Sequence, residues 1–224
     1  MFRIRPASII SFAFMLCVLP TISTPVKAQD IYVGGGLPGG LTVGYARPMG
    51  SQWGLRSDLS VLSIDSQATK DDQRYDWSYK SRILGIYADW FPYANGFRLV
   101  GGLTFNDLRV GSNLTPGQGT ATINGNVINM SGKYFNVSYR APSVTPYVGI
   151  GYGHHANTSK GLGFYADLGW MLGNPTVTVD TNVVGTVGAS GTVTQADVDA
   201  QKDKVQPSNS AGLPFFGLGV VYRY

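Results

Sequence analysis

The sequence predicts an all-β chain, an eight-stranded antiparallel transmembrane β-barrel of up-and-down topology with long outer loops. Three observations point there. All 13 acidic residues among the 224 are Asp, so the helix former Glu is missing, while 30 residues are Gly. Charged residues make up 13% of the chain, where a soluble domain carries roughly 25%. Apolar residues then recur at every second position over seven stretches, and an eighth is diluted by Gly. Mean hydropathy is +0.01, and no apolar run approaches the ~18 residues of a membrane helix.

The first 28 residues read as a segment outside the fold. Arg3 and Arg5 precede an apolar stretch from Ile9 to Leu19, and Val26-Lys27-Ala28 closes it with small residues at −3 and −1. This is the layout of a cleaved secretory signal peptide, leaving residues 29–224 as the barrel domain. Cys17 follows Leu16 rather than a small residue, which argues against lipidation. Removing Arg3, Arg5 and Lys27 from the 17 basic residues leaves 14 against 13 acidic, so the basic character that would suit nucleic acid belongs to the leader.

The strands follow in order. Ile31 to Leu37 is the Gly-diluted stretch, and Leu41, Val43 and Tyr45 form a short one. Trp53, Leu55, Leu59 and Val61 face away from Gly54, Arg56, Asp58 and Ser60. Leu84, Ile86, Ala88 and Trp90 oppose Gly85, Tyr87 and Asp89; Phe97, Leu99, Leu103 and Phe105 oppose Arg98, Val100, Gly102, Thr104 and Asn106. Val148, Ile150 and Tyr152 oppose Tyr147, Gly149 and Gly151. Leu162 to Leu172 sets Leu, Phe and Trp against Gly163, Tyr165, Asp167 and Gly169. The chain closes on Phe216, Leu218, Val220, Tyr222 and Tyr224 opposite Gly217, Gly219, Val221 and Arg223. In a soluble sandwich the second face would be wet and rich in Lys and Glu. Here it is Gly, Tyr and isolated charges, which suits a narrow lumen enclosed by a lipid-facing wall. Trp53, Trp90, Phe91, Tyr93, Phe97, Tyr152, Tyr222 and Tyr224 cluster at segment ends as interfacial girdles.

Connections sort by length. Pro48 to Gln52, Pro92 to Gly96 and His154 to Gly161 are short, as is the turn at Pro38-Gly39-Gly40. Asp65 to Asp76, Val110 to about Pro142 and Gly173 to about Leu213 are long and polar. Barrels of bacterial outer membranes have short periplasmic turns and long outer loops, so both termini are expected in the periplasm. Within the last loop, Thr194 is placed to cap a helix running through to Gln206.

The closing segment, Phe216-Gly217-Leu218-Gly219-Val220-Val221-Tyr222-Arg223-Tyr224, resembles the C-terminal assembly signal of outer-membrane barrels. Ala88-Asp89-Trp90-Phe91-Pro92-Tyr93 and Pro146-Tyr147-Val148-Gly149-Ile150-Gly151-Tyr152-Gly153 resemble segments of uncharacterised proteobacterial members. The chain from Ile31 to Tyr224, apart from the two longest loops, is thus similar to the small eight-stranded outer-membrane barrels of Gram-negative bacteria. That resemblance implies a monomer in the outer membrane, in contact with lipid, lipopolysaccharide and the barrel-assembly machinery. It implies little about activity, because the group spans plugs, narrow channels, adhesins and lipid enzymes.

Arg56, Asp58, Asp89, Arg98, Asp167 and Arg223 all fall on lumen positions, three cations with three anions, and each needs a partner in so small a space. A neutral salt-bridge plug is the expected arrangement, with Asp89 and Arg98 meeting across the Pro92 to Gly96 turn. A gated ion path is the other option. His154 and His155 are read as solvated turn residues, at the rim opposite to the one where lipid-modifying barrel enzymes place their histidines. Neither Gly34-Gly35-Gly36 nor the Gly149 to Gly153 run precedes a helix that could hold phosphate. No enzymatic activity, cofactor or metal is expected. Lys80, Arg82, Lys133 and Arg140, toward the outer side, are candidates for contact with lipopolysaccharide phosphates. The functional expectation is a structural or surface-exposed barrel with a plugged or very narrow lumen, the alternative being a narrow transporter for small, mostly apolar solutes.

Overall fold

Alternating burial along the chain closes a single sheet into a ring. The computed structural model describes residues 29–70, 73–114, 119–154, 160–206 and 212–224; the expected leader, Met1 to Ala28, lies outside them. The strands are β1 (Asp30–Leu37), β2 (Gly40–Pro48), β3 (Trp53–Lys70), β4 (Gln73–Trp90), β5 (Phe97–Leu114), β6 (Thr120–Ile123) and β7 (Asn126–Asn129). They continue with β8 (Phe135–Arg140), β9 (Val144–Tyr152), β10 (Gly161–Met171), β11 (Thr176–Thr181), β12 (Val187–Gly188), β13 (Gly191–Thr192), helix α1 (Gln195–Val205) and β14 (Leu213–Arg223).

Eight staves form the ring. β8 and β9 are one stave interrupted at Ala141-Pro142-Ser143, because both pair antiparallel with β5, β8 at Arg109–Leu114 and β9 at Phe97–Phe105. β10 pairs β9 and β11 pairs β8, so these two are likewise one stave. β14 bridges β10 and β1, and its pairing from Asp30↔Arg223 to Leu37↔Phe216 closes the barrel. The first hairpin is two true strands, with Asp30 opposite Ala46.

Residues of outward parity stay exposed. Leu55, Ile86, Leu103, Ile150, Leu162, Phe164 and Leu218 range from 45% to 80% exposed around the ring. A contiguous apolar wall of this kind is the signature of a surface made for lipid, and the apolar part of each stave matches the ~9–11 tilted residues that cross a bilayer. Trp53 and Trp90 stack at the turn end with centroids 6.3 Å apart. Phe91 departs from the expected girdle. It is 2% exposed, because odd-numbered residues of this stave point inward.

The loop end departs further from expectation. The supposed loop from Asp65 to Asp76 is strand: β3 and β4 remain paired from Trp53↔Trp90 to Lys70↔Gln73. Beyond the apolar belt both faces of a strand meet water, so the period-two pattern fades although the backbone pairing continues. The same holds for β5 as far as Leu114 and for β8 and β11. The two longest connections carry a small folded unit. The β6–β7 hairpin turns at Asn124-Gly125, both at positive φ, as a two-residue hairpin demands. Ile123, Ile128, Met130, Val183, Val193 and Val198 pack into its core. α1 begins at the predicted cap: Thr194 accepts from the Asp197 amide at 3.3 Å, and Asp197 accepts from the Thr194 amide at 2.9 Å. Asn124 ties the hairpin to α1 by donating to Asp197 at 3.0 Å and accepting from Lys204 at 2.8 Å.

Candidate functional site

β3 turns Arg56 and Asp58 inward two residues apart, β4 contributes Asp89, β5 Arg98 and β10 Asp167; each is at most 5% exposed. Arg56 donates from Nε to Asp89 Oδ2 at 3.2 Å and from Nη1 to Asp167 Oδ2 at 3.1 Å, and lies 3.6 Å from Asp58. Arg98 donates from Nη2 to Asp167 Oδ1 at 2.6 Å and from Nη1 to the Gly153 carbonyl at 2.7 Å. Asp167 therefore bridges both guanidinium groups. Asp89 and Arg98 do approach one another, yet at 3.6 Å the contact is an ion pair without a hydrogen bond.

Aromatic rings wall the cluster. The Arg56 guanidinium sits 4.5 Å from the centroid of Tyr87, its direct neighbour across the β3–β4 ladder. Asp58 accepts from the Tyr32 hydroxyl at 2.8 Å and from that of Tyr87 at 3.4 Å. Tyr87, Tyr147 and Phe215 continue the packing edge to face, with centroids 5.0 and 5.6 Å apart. Inward Gly makes room for them. A Cβ on Gly151 would collide with the Asp167 carboxylate, and one on Gly44 with the Tyr32 ring.

Arg223 is not part of this cluster. It pairs with Asp30, donating from Nε at 2.6 Å and from Nη2 at 2.5 Å. His154 Nδ1 lies 3.2 Å from the same carboxylate, and the imidazole is 4% exposed between the rings of Tyr32 and Tyr165. The expectation of a solvated His154 is thus corrected: Gly153 and His154 adopt positive φ, and the imidazole lies buried against Asp30, Tyr32 and Tyr165. His155 lies outside the described residues. Asp30 is the residue missed. Its signal was adjacency to Ile31, which gives it the inward parity of Tyr32. With Asp30 included, the described lumen holds three arginines and four aspartates rather than the balanced set expected.

On the outer wall, Lys80, Arg82 and Arg140 are exposed. Lys133 is not with them; it sits in the turn after β7, its amide bonded to the Met130 carbonyl at 3.0 Å. Arg109 takes its place, since the ladder sets Lys80 opposite Arg109 and Arg109 opposite Arg140. Phe216, Leu218, Val220, Tyr222 and Tyr224 line the outward face of the closing stave, all 38–53% exposed. Tyr224 is bonded to Gln29 through the backbone, at 3.1 and 3.3 Å, and through its hydroxyl at 3.0 Å.

No family description and no curated protein matches the sequence. Solved structures share its fold, among them two from Acinetobacter baumannii. The crystal structure of Acinetobacter baumannii CarO2 superposes with a TM-score of 0.63 at 18% identity, over 90% of this chain and 100% of that one. That of CarO from the same organism gives 0.58 at 17%, over 88% of this chain and 97% of that one. At such identities the likeness establishes a common architecture, the eight-staved antiparallel barrel just described.

Proposed function

We propose that the chain is an outer-membrane β-barrel of Gram-negative type, serving as a structural or surface-exposed component whose lumen is plugged. The observation that carries the reading is the cross-linked charge cluster, in which Asp167 bridges Arg56 and Arg98 with every member almost fully buried. Burying five ionised groups without mutual pairing would cost several kcal/mol each, roughly, so the cluster resists opening. The apolar outer wall supports the membrane location, and the paired strands at one end, with short turns at the other, support periplasmic termini. Planar-bilayer recording tests the plug: rare or absent openings are expected, and steady conductance with solute-dependent block overturns it. Deleting Tyr224 tests the location and the assembly signal. The amount reaching the outer membrane should fall sharply while refolding in detergent survives; normal yield argues against the signal.

One observation favours the narrow-transporter alternative. Asp89 Oδ1 and Arg98 Nε face each other across 3.6 Å and hydrogen-bond to no other described residue. A passage that widened the plug would begin at that contact.

A further inference from the structure

We infer that the outer wall carries a binding row for the phosphates of lipopolysaccharide, formed by Lys80, Arg109 and Arg140 side by side on β4, β5 and β8. The inference rests on the outer-membrane reading and deepens it by naming the residues and the ligand chemistry. The ladders place the three cations in direct lateral register, and each is exposed on the wall's outer face. Adjacent strands are about 4.8 Å apart, so the charges span roughly 10 Å. Like charges directly opposite one another repel, and a bare row of three is unfavourable. One carboxylate offsets them at close range: Asp107 lies 2.7 Å from Arg109 and is registered opposite a fourth cation, Arg82. Lys80, Arg82 and Arg140 make no ion pair with any described residue, and the next acid, Asp65, lies one step further from the belt, opposite Ser78.

Position selects the ligand. The last wholly apolar rung on these staves is Leu59, Leu84, Phe105 and Val144. The cation row stands four residues beyond it along each continuous strand, roughly 13 Å of strand and about 10 Å of depth at a tilt of about 35–45°, outside the acyl chains and at the outer margin of the headgroups. An anionic group anchored in the adjoining lipid meets the row there. Arginine forks suit phosphate oxygens, and the hydroxyls of Ser63 and Thr176, at the two ends of the same rung, add neutral donors. Two phosphates on one glycolipid anchor fit a span of this length better than the single phosphodiester of an ordinary phospholipid.

The test uses the whole chain in phosphatidylcholine nanodiscs, titrated with deep-rough lipopolysaccharide carrying both lipid A phosphates, with retained ligand read by native mass spectrometry. The unaltered chain should retain lipopolysaccharide. Combined Lys80→Gln, Arg109→Gln and Arg140→Gln should weaken retention at least about tenfold, as expected when charge-assisted contacts to phosphate are lost. Lys133→Gln, off the row, should change nothing. Enzymatically dephosphorylated lipopolysaccharide on the unaltered chain should bind as weakly as the intact ligand binds the triple variant, an arm that does not depend on any variant folding. Equal retention in either comparison overturns the row, and equal competition by phosphatidylglycerol at matched phosphate overturns the choice of lipopolysaccharide. Failure of the membrane reading shows separately, as a chain that does not co-float with phosphatidylcholine vesicles. A chain that floats but ignores lipopolysaccharide sinks the row alone.

Discussion

Arg98 at the centre of the barrel and Val183 at the centre of the loop unit are equally buried, each 0% exposed. Around Arg98 stand carboxylates and tyrosine rings; Ile83, Val100 and Met171 share the barrel interior, while most aliphatic side chains of the belt turn out of the ring. Around Val183 stand Ile123, Ile128 and Met130, with Lys202, Asp203 and Lys204 toward the outside. The two regions obey one rule in two solvents. A wall in lipid gains nothing by hiding its apolar side chains, so the interior can hold charged groups that satisfy one another beside a smaller apolar cluster. The loop unit meets water, so burying apolar area is what holds it together.

The comparison breaks most visibly at Asp167. Asp167→Ala removes the carboxylate that bridges Arg56 and Arg98 and leaves Arg98 only the 3.6 Å ion pair with Asp89 in a dry lumen, so detergent-state stability from urea unfolding should drop by about 3–5 kcal/mol. Adding Arg98→Ala should restore much of it. A loss of about 1 kcal/mol or less, as for a solvent-screened pair, accompanied by new conductance, would mean that the lumen is wet and the contrast false.

Ile128→Ala asks the reverse question of the loop unit. Removing a core side chain there should cost that unit about 2–5 kcal/mol, seen as rapid proteolysis within residues 119–134 and 182–206. The heat-modifiable gel shift of the barrel should stay as it is. If barrel and loop unit are lost together, the two are one cooperative body and the division fails.

Gly151→Ala sharpens the comparison on the barrel side. The added methyl meets the Asp167–Arg98 contact, and overpacking of that kind costs roughly 1–3 kcal/mol, confined to barrel unfolding. The smallest effect belongs to the helix cap. Thr194→Ala should destabilise α1 by about 1 kcal/mol, read by amide exchange in the loop unit. The Thr194 amide, with Asn124 and the Thr194 hydroxyl, holds the Asp197 carboxyl below its ordinary value. Its contribution is therefore full above the unfolded value of about 4 and fades as pH falls through the lower folded value. Protection of α1 that is flat to pH 2 would remove Asp197 from the cap.

Where one face meets lipid and the other the lumen, the fold was legible residue by residue. Arg56, Asp58, Asp89, Arg98 and Asp167 were readable as inward because their neighbours at odd spacing were Leu, Trp and Ile. The helix was legible from Thr194 and Asp197 alone. The far ends of β3, β4 and β5 were not, because residues such as Ser66, Gln67 and Ser112 on paired strands in water look like loop. Arg109, next to the expected loop start at Val110, was passed over, though counting outward from the Pro92 to Gly96 turn would have set it beside Lys80. His154 escaped because parity says nothing once the backbone passes into positive φ. Which aspartate joins which arginine depended on barrel closure, since Arg56 and Asp167 are 111 residues apart.

The staves of unequal height leave the sheet closed below and open above. Beyond the ring, β3 from Leu62 onward pairs only with β4 among the described strands, and β11 only with β8. These are bare margins, and unpaired backbone at a margin invites a strand from another molecule. α1 packs beside β11 and guards one of them. The other is protected by direction. β3 and β11 both run from the turn end toward the loop end, and copies embedded upright in one bilayer share that sense. Any margin-to-margin contact between neighbours must then be parallel, the weaker of the two ladders, so a crowded membrane of these barrels is biased against fusing its walls into a continuous sheet.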